Sequence, residues 1–94
     1  MKITDLKTMV VEGSYPWIYL RITTDEGPEG ISEAYPIKGV IHILDDFIKP
    51  LLVGQDPLNV EPLYNRMLAS APGQVTGGPT LAAISVAEIA LWDI

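Results

Sequence analysis

The fold of this chain is decided by the stretch WIYLRITTDEGPEGISEA, which occupies residues 17–34. In its first half, aliphatic side chains alternate with polar or aromatic ones, which is the two-residue period of a strand with one buried face; the aliphatic set is Ile18, Leu20 and Ile22. Residues 25–28, DEGP, supply turn formers, and a second, short strand is predicted over residues 30–34. Two strands joined by so short a turn favour an antiparallel hairpin.

A further strand is predicted before this hairpin. Residues 2–11 are rich in β-branched and aliphatic side chains, and the turn-forming residues 12–16, EGSYP, separate them from the central strand. The first third of the chain therefore predicts a three-stranded antiparallel meander.

Beyond Pro36 the hydrophobic period becomes helical. Apolar residues recur every three or four positions from Val40 onward, which predicts an amphipathic helix that ends by Pro50. A second helix is predicted from Asn59, a favourable N-cap, to about Ser70, because Pro62 then falls in the first turn where its missing N–H is not needed.

A third helix is predicted from Pro79 through Ile94, after a loop at residues 71–78. This helix is apolar nearly all round, so we expect it to be the most buried element. Its final residues, ALWDI, contain no Gly, Asn, Pro or basic side chain, the usual stop signals, and we expect the native chain to continue. A meander followed by helices indicates an α+β domain.

Composition sets limits on the function. The 94 residues are 48% hydrophobic with a mean hydropathy of +0.25, which allows one modest core and leaves apolar surface to pack against something else. Twelve acidic residues against six Lys and Arg give a net charge of −6, which disfavours nucleic acid as a partner. The chain has no cysteine, so disulfide, thiolate-metal and cysteine-nucleophile sites are excluded. No apolar run approaches a membrane span, and we expect a soluble cytoplasmic protein.

Several polar residues have both a functional and a structural interpretation. His42, the one histidine, falls on the polar face of its helix and is expected to be solvated. Glu88 lies within the apolar last helix and needs a partner, for which a structural ion pair is expected ahead of a catalytic role. Asp25, Asp45 and Asp56 have turn or surface positions, and no metal-binding cluster is visible in the sequence.

Three sets of residues, in order, resemble the amino-terminal domain of the mandelate racemase and muconate lactonizing enzyme branch of the enolase superfamily. The resemblance covers nearly the whole chain and is most specific in its last third. The matching stretches are KITD at 2–5, ITTDEG at 22–27 and GISEA at 30–34; LLVGQDPL at 51–58; and GGP at 77–79, AIS at 83–85 and IALWDI at 89–94.

The resemblance implies that residues 1–94 are a capping domain cut off before a catalytic (β/α) barrel. In that family an enzyme removes a proton α to a carboxylate with the help of Mg²⁺ and a Lys or His base on the barrel, so these 94 residues alone are expected to hold no catalytic residue, bind no metal and be inactive. The implied activity is that of a lyase or isomerase, first a sugar-acid dehydratase, with a racemase or cycloisomerase as alternatives. The implied partners are the carboxyl-terminal barrel domain and a small hydroxy-carboxylate substrate, with a homo-oligomer possible.

Two loops are implied to close over the substrate. They map to residues 13–16 and 35–37, and the candidate substrate-binding residues in them are Ser14, Tyr15, Tyr35 and Ile37. Each tyrosine adjoins a proline, so its hydroxyl could reach a substrate oxygen while its ring excludes water; packing within the domain is the alternative interpretation.

A different class of function is left open. The apolar last helix could instead form the seam of a free-standing dimeric interaction module without catalysis. The sequence names neither the substrate, the stereochemistry nor the catalytic base.

Overall fold

The computed structural model describes residues 1–71 and 78–94. Its sheet has three antiparallel strands in the order β1-β2-β3, namely Ile3–Val11, Trp17–Thr24 and Glu29–Ala34. The predicted meander is confirmed. The predicted loop at residues 71–78 lies mostly outside the described residues.

Three helices follow the sheet. The helix α1 is one run of three consecutive segments, Val40–Ile43, the π-wound Leu44–Ile48, and Lys49–Leu52. The other two helices are α2, Val60–Ser70, and α3, Gly78–Asp93. The α+β class is therefore confirmed, with the helices in the predicted order.

Pro50 does not end α1, which corrects the prediction from sequence. A proline inside an α-helix normally clashes with the carbonyl four residues earlier and removes one hydrogen bond. Here the preceding turn is wide, because the N–H of Lys49 donates to the carbonyl of Leu44, five residues back. The wide turn gives the proline ring room, and the helix continues to Leu52.

The core lies between the inner face of the sheet and the helices. Ile18, Leu20 and Ile22 of β2, which the two-residue period placed on one face, are all buried there. The helices contribute most of the remaining core side chains, which include Val40, Leu44, Ile48, Leu52, Leu63, Met67, Ala83, Ile84, Ala87 and Leu91. One continuous core is formed, as the length and composition predicted.

The segment between α1 and α2 is fastened to the start of β1. The N–H of Ile3 donates to the carbonyl of Gln55, and the N–H of Gly54 donates to the carbonyl of Ile3, both at 2.8 Å. Asp56 is a turn residue, as expected, because its Oδ1 accepts the N–H of Leu58 at 3.0 Å. Asn59 occupies the predicted N-cap position of α2, but its side chain makes no capping hydrogen bond.

The carboxyl-terminal half of α3 is joined closely to β3. The hydroxyl of Ser32 donates to the carbonyl of Val86 at 2.7 Å, and Asp93 accepts the N–H of Ile31 at 2.9 Å. Between these contacts Gly30 lies directly against the backbone of Ala90. The sheet edge and the helix end therefore hold each other in place.

The expectation that α3 is the most buried element is only partly confirmed. Six of its residues are buried, but Ile89 is 54% exposed and Trp92 is 70% exposed. Glu88 is half-buried, and the ion pairs formed within the described residues do not include it. Its structural ion pair stays a prediction. Among the described residues, no helix is long and apolar enough to cross a membrane, and the cytoplasmic location also stays a prediction.

Candidate functional site

The two loops implied to be functional leave the sheet at the same end. Loop A comprises residues 12–16, between β1 and β2, and loop B comprises residues 35–39, between β3 and α1. Val11 pairs with Trp17 and Ala34 pairs with Ile18, so the strand ends that carry both loops meet at the start of β2. The meander register therefore brings loop A and loop B side by side.

An aromatic cluster joins the two loops. Trp17, the first residue of β2, packs edge-on against Tyr15 of loop A with 6.3 Å between ring centroids. It also packs against Tyr35 of loop B at 5.2 Å, with the rings tilted by 36°. Tyr15 is 63% exposed and Tyr35 is 70% exposed, so both predicted residues remain open to solvent while Trp17 is half-buried beneath them.

A cleft of about 440 Å³ opens between the two loops and the first turn of α1. Ile37, a predicted site residue, contributes to its wall, together with the prolines that adjoin the two tyrosines. The described lining residues are Val10, Pro16, Ile18, Pro36, Ile37, Lys38, Gly39, Ile41 and His42. The cleft is mostly apolar, which suits the carbon skeleton of a small ligand and the exclusion of water.

The charges around this cleft are opposite in sign to those of the chain as a whole. The chain has twelve acidic residues and six Lys and Arg, yet the described lining includes one formal cation, Lys38, and no carboxylate. His42 is exposed on α1, as expected, but it also borders the cleft, which helix periodicity alone did not predict. A cationic rim on an apolar cleft favours an anionic ligand.

Loop B has a compact backbone. The N–H of Ile37 donates to the carbonyl of Tyr35 at 2.7 Å, and the N–H of Val40 donates to the carbonyl of Ile37 at 3.3 Å. Gly39 then adopts a φ of 95°, a left-handed conformation that favours glycine, before α1 begins. The short turn fixes the backbone positions from which the side chains of Ile37 and Lys38 extend.

The candidate residues do not all reach the cleft. Ile37 lines it, whereas Tyr15 and Tyr35 lie in the aromatic cluster beside it, and Ser14 is exposed in loop A. Trp17 was missed by the sequence reasoning. Strand alternation places it on the outer face with Tyr19, but its contact with Tyr35 depends on the pairing of β2 with β3.

Three groups among the described residues have shifted pKa values, and none of them lines the cleft. The hydrogen bond with Glu26 raises the pKa of the Met1 amino group. The hydrogen bond from Lys49 and the N–H of Leu6 lower the pKa of Asp5, and Lys49 Nζ lies 2.9 Å from that carboxylate. On the outer face of the sheet, the neighbouring carboxylate of Glu33 raises the pKa of Tyr19. Asp5 and the Met1 amino group form ion pairs away from the residues that line the cleft.

The described residues do not fit a metal site. Within residues 1–71 and 78–94, no three His, Asp or Glu side chains are grouped so that they could hold an ion. The Mg²⁺ that the sequence resemblance implies therefore has no donor set in the described part of this chain.

Known proteins similar to this chain are enzymes of one superfamily. The family model described as mandelate racemase / muconate lactonizing enzyme, N-terminal domain, matches residues 6–94. The chain is 42% identical over 94 residues to D-xylonate dehydratase of Haloferax volcanii, an alignment that covers 99% of this chain and 23% of that protein. It is 38% identical over 101 residues to D-galactonate dehydratase of Klebsiella pneumoniae, covering 100% of this chain and 24% of that protein.

The fold of this chain is also similar to that of solved structures. The crystal structure of an enolase from Pantoea ananatis with bound D-gluconate and Mg superposes with a TM-score of 0.90 at 30% identity, over 99% of this chain and 23% of that one. The chain thus spans about a quarter of the length of the curated relatives it matches.

Proposed function

The chain belongs to the amino-terminal domain family of mandelate racemase and muconate lactonizing enzyme, and we propose from this premise that it is the substrate-capping domain of a longer sugar-acid dehydratase. In this proposal the remainder of the enzyme is a carboxyl-terminal barrel that supplies Mg²⁺ and the general base. The reaction is removal of the proton next to the substrate carboxylate, followed by loss of water.

The cleft between loop A and loop B is the observation that carries the proposal. Its apolar walls, which include Pro16, Pro36 and Ile37, cover the carbon chain of a bound acid and exclude water from the reacting carbon. Lys38 at its rim favours an anionic substrate over a neutral sugar. Tyr15 and Tyr35, largely exposed in the aromatic cluster at the same end of the sheet, can offer hydroxyls to substrate oxygens.

The test is turnover by the longer enzyme that contains this chain. Purified enzyme with Mg²⁺ is given D-xylonate, D-galactonate and D-gluconate, and the 2-keto-3-deoxy acid product is measured as its semicarbazone. We expect at least one acid to be dehydrated. Inversion of configuration without loss of water would favour the racemase alternative, and a cyclic isomer would favour the cycloisomerase. No reaction with any of the three acids would contradict the sugar-acid dehydratase proposal.

One observation favours a second candidate function. Ile89 and Trp92 expose apolar surface on α3, which suits a dimer seam in a free-standing interaction module. Sedimentation of the isolated 94-residue chain separates the two candidates. A discrete dimer with cooperative melting supports the module, whereas aggregation or marginal folding supports a cap that has lost the surface it packs against.

A further inference from the structure

Trp17 contacts both loops from a fixed position. It pairs with Val11 at the end of β1, and the next residue, Ile18, is buried and pairs with both Val10 and Ala34. The backbone of Trp17 is therefore held by the sheet, whereas the two tyrosines that contact its ring belong to loops. Offset and edge-on aromatic contacts of this kind stabilise one relative arrangement of the rings.

We propose that Trp17 is a positioning residue that couples loop A to loop B, so that Tyr15 and Tyr35 meet the substrate as one unit. The inference rests on the proposed capping function. The ring centroid of Tyr15 lies 6.3 Å from that of Trp17, edge-on, and the ring centroid of Tyr35 lies 5.2 Å from it, tilted. A shift of either tyrosine changes the packing available to the other through the shared ring.

This coupling has a consequence for binding. When loop A is already ordered against Trp17, less conformational entropy is lost as loop B closes on the substrate, and the reverse also holds. Removal of the indole should therefore raise KM for the substrate more than it lowers kcat. Pro16 and Pro36, which adjoin the two tyrosines, line the cleft, so displacement of either ring also displaces the cleft wall.

The first experiment is a double-mutant cycle in the longer enzyme, with the acid that gives the highest kcat/KM in the panel above. Tyr15→Ala, Tyr35→Ala and the double variant are compared in the parent enzyme and again in a Trp17→Leu background. Coupling through Trp17 predicts that the two effects on KM are less than multiplicative in the parent by a few-fold to about tenfold. In the Trp17→Leu background the effects should multiply.

Two control variants separate positioning from folding. Tyr19→Leu removes an aromatic ring from the same face of β2, two residues beyond Trp17. In this background the effects of Tyr15→Ala and Tyr35→Ala on KM should remain less than multiplicative. Trp17→Phe keeps an aromatic ring at this position. Its KM should therefore stay close to that of the parent enzyme, unlike the raised KM expected for Trp17→Leu. Equal melting temperatures for Trp17→Leu and Tyr19→Leu would show that the difference in KM is not a difference in stability.

A second readout does not depend on turnover. With 5-fluorotryptophan incorporated and the Trp17 signal assigned through Trp17→Phe, Tyr15→Ala and Tyr35→Ala should each move that ¹⁹F resonance. Multiplicative KM effects in the parent enzyme would overturn the coupling and leave the dehydratase proposal standing. A Trp17 resonance that responds to neither tyrosine would overturn the coupling even in an enzyme without activity toward sugar acids.

Discussion

Lys38 is a cation that borders the cleft of a chain with a net charge of −6. We predict that Lys38→Met raises KM for the sugar acid about two- to fivefold, the range expected for one solvent-exposed ion pair, with little change in kcat. The difference should shrink at high salt because exposed charges are screened. Steady-state kinetics at low and high ionic strength measure both effects.

The control for this prediction is Lys7→Met, which removes the same charge from an exposed position on β1. It should leave KM close to the parent value. Equal rises in KM for the two variants would mean that net charge, not the position of Lys38 in the cleft, governs substrate attraction.

Gly30 lies where β3 and α3 approach most closely. A Cβ at this position would meet the carbonyl oxygen of Ala90 and lie 2.8 Å from the side chain of Ile94. We predict that Gly30→Ala destabilises the fold by about 1–3 kcal/mol through overpacking, seen as a lower melting temperature. Gly13→Ala is the matched control, because its Cβ would only make an ordinary contact at 3.8 Å with the carbonyl of Tyr15. Equal melting temperatures for the two variants would contradict this account of the β3–α3 contact.

At the scale of elements, the ion pair between Asp5 and Lys49 links β1 to α1. Because the pKa of Asp5 is lowered from 3.8, the unfolded chain binds more protons near that pH than the folded one. The pair's contribution to the free energy of unfolding is therefore fully present above about pH 3.8, the unfolded-state pKa. It is lost as the pH falls through the lower folded-state pKa. Both side chains are partly exposed, so the effect is modest.

We predict that Asp5→Asn weakens the dependence of stability on pH below about pH 4. Lys49→Met should have a similar but smaller effect, because the N–H of Leu6 still lowers the pKa of Asp5. Thermal melts between about pH 5 and about pH 3 provide the measurement. A slope unchanged in Asp5→Asn would show that other carboxylates govern the acid stability.

Local patterns predicted the elements well and their mutual contacts less well. The two-residue period of β2 predicted its buried face, because only one face of the sheet meets the core. Pro50 was wrongly taken as a helix end, since that rule assumes α geometry and the π turn before it relieves the clash. The contacts of Trp17 and the cleft lining depend on strand register and on where α1 begins, neither of which a local pattern specifies.

At the scale of the whole molecule, the domain presents two distinct surfaces. The cleft and the aromatic cluster lie at the end of the sheet that carries loop A and loop B, whereas Ile89 and Trp92 expose apolar surface on α3. In the proposed enzyme these are the substrate-facing surface and a surface available to the remainder of the chain. We predict that the isolated 94-residue chain shows no dehydration of the three acids with Mg²⁺ present; measurable turnover by it would contradict the capping role.

The most direct test of that role is hydrogen–deuterium exchange in the longer enzyme, with and without the best substrate of the panel under non-turnover conditions. The capping account predicts that substrate slows exchange of the amides in residues 12–16 and 35–39. Amides in the turn between β2 and β3, at residues 25–27, lie at the other end of the sheet and should not change. Slower exchange in that turn, with no change in the two loops, would contradict the claim that this domain closes over the substrate.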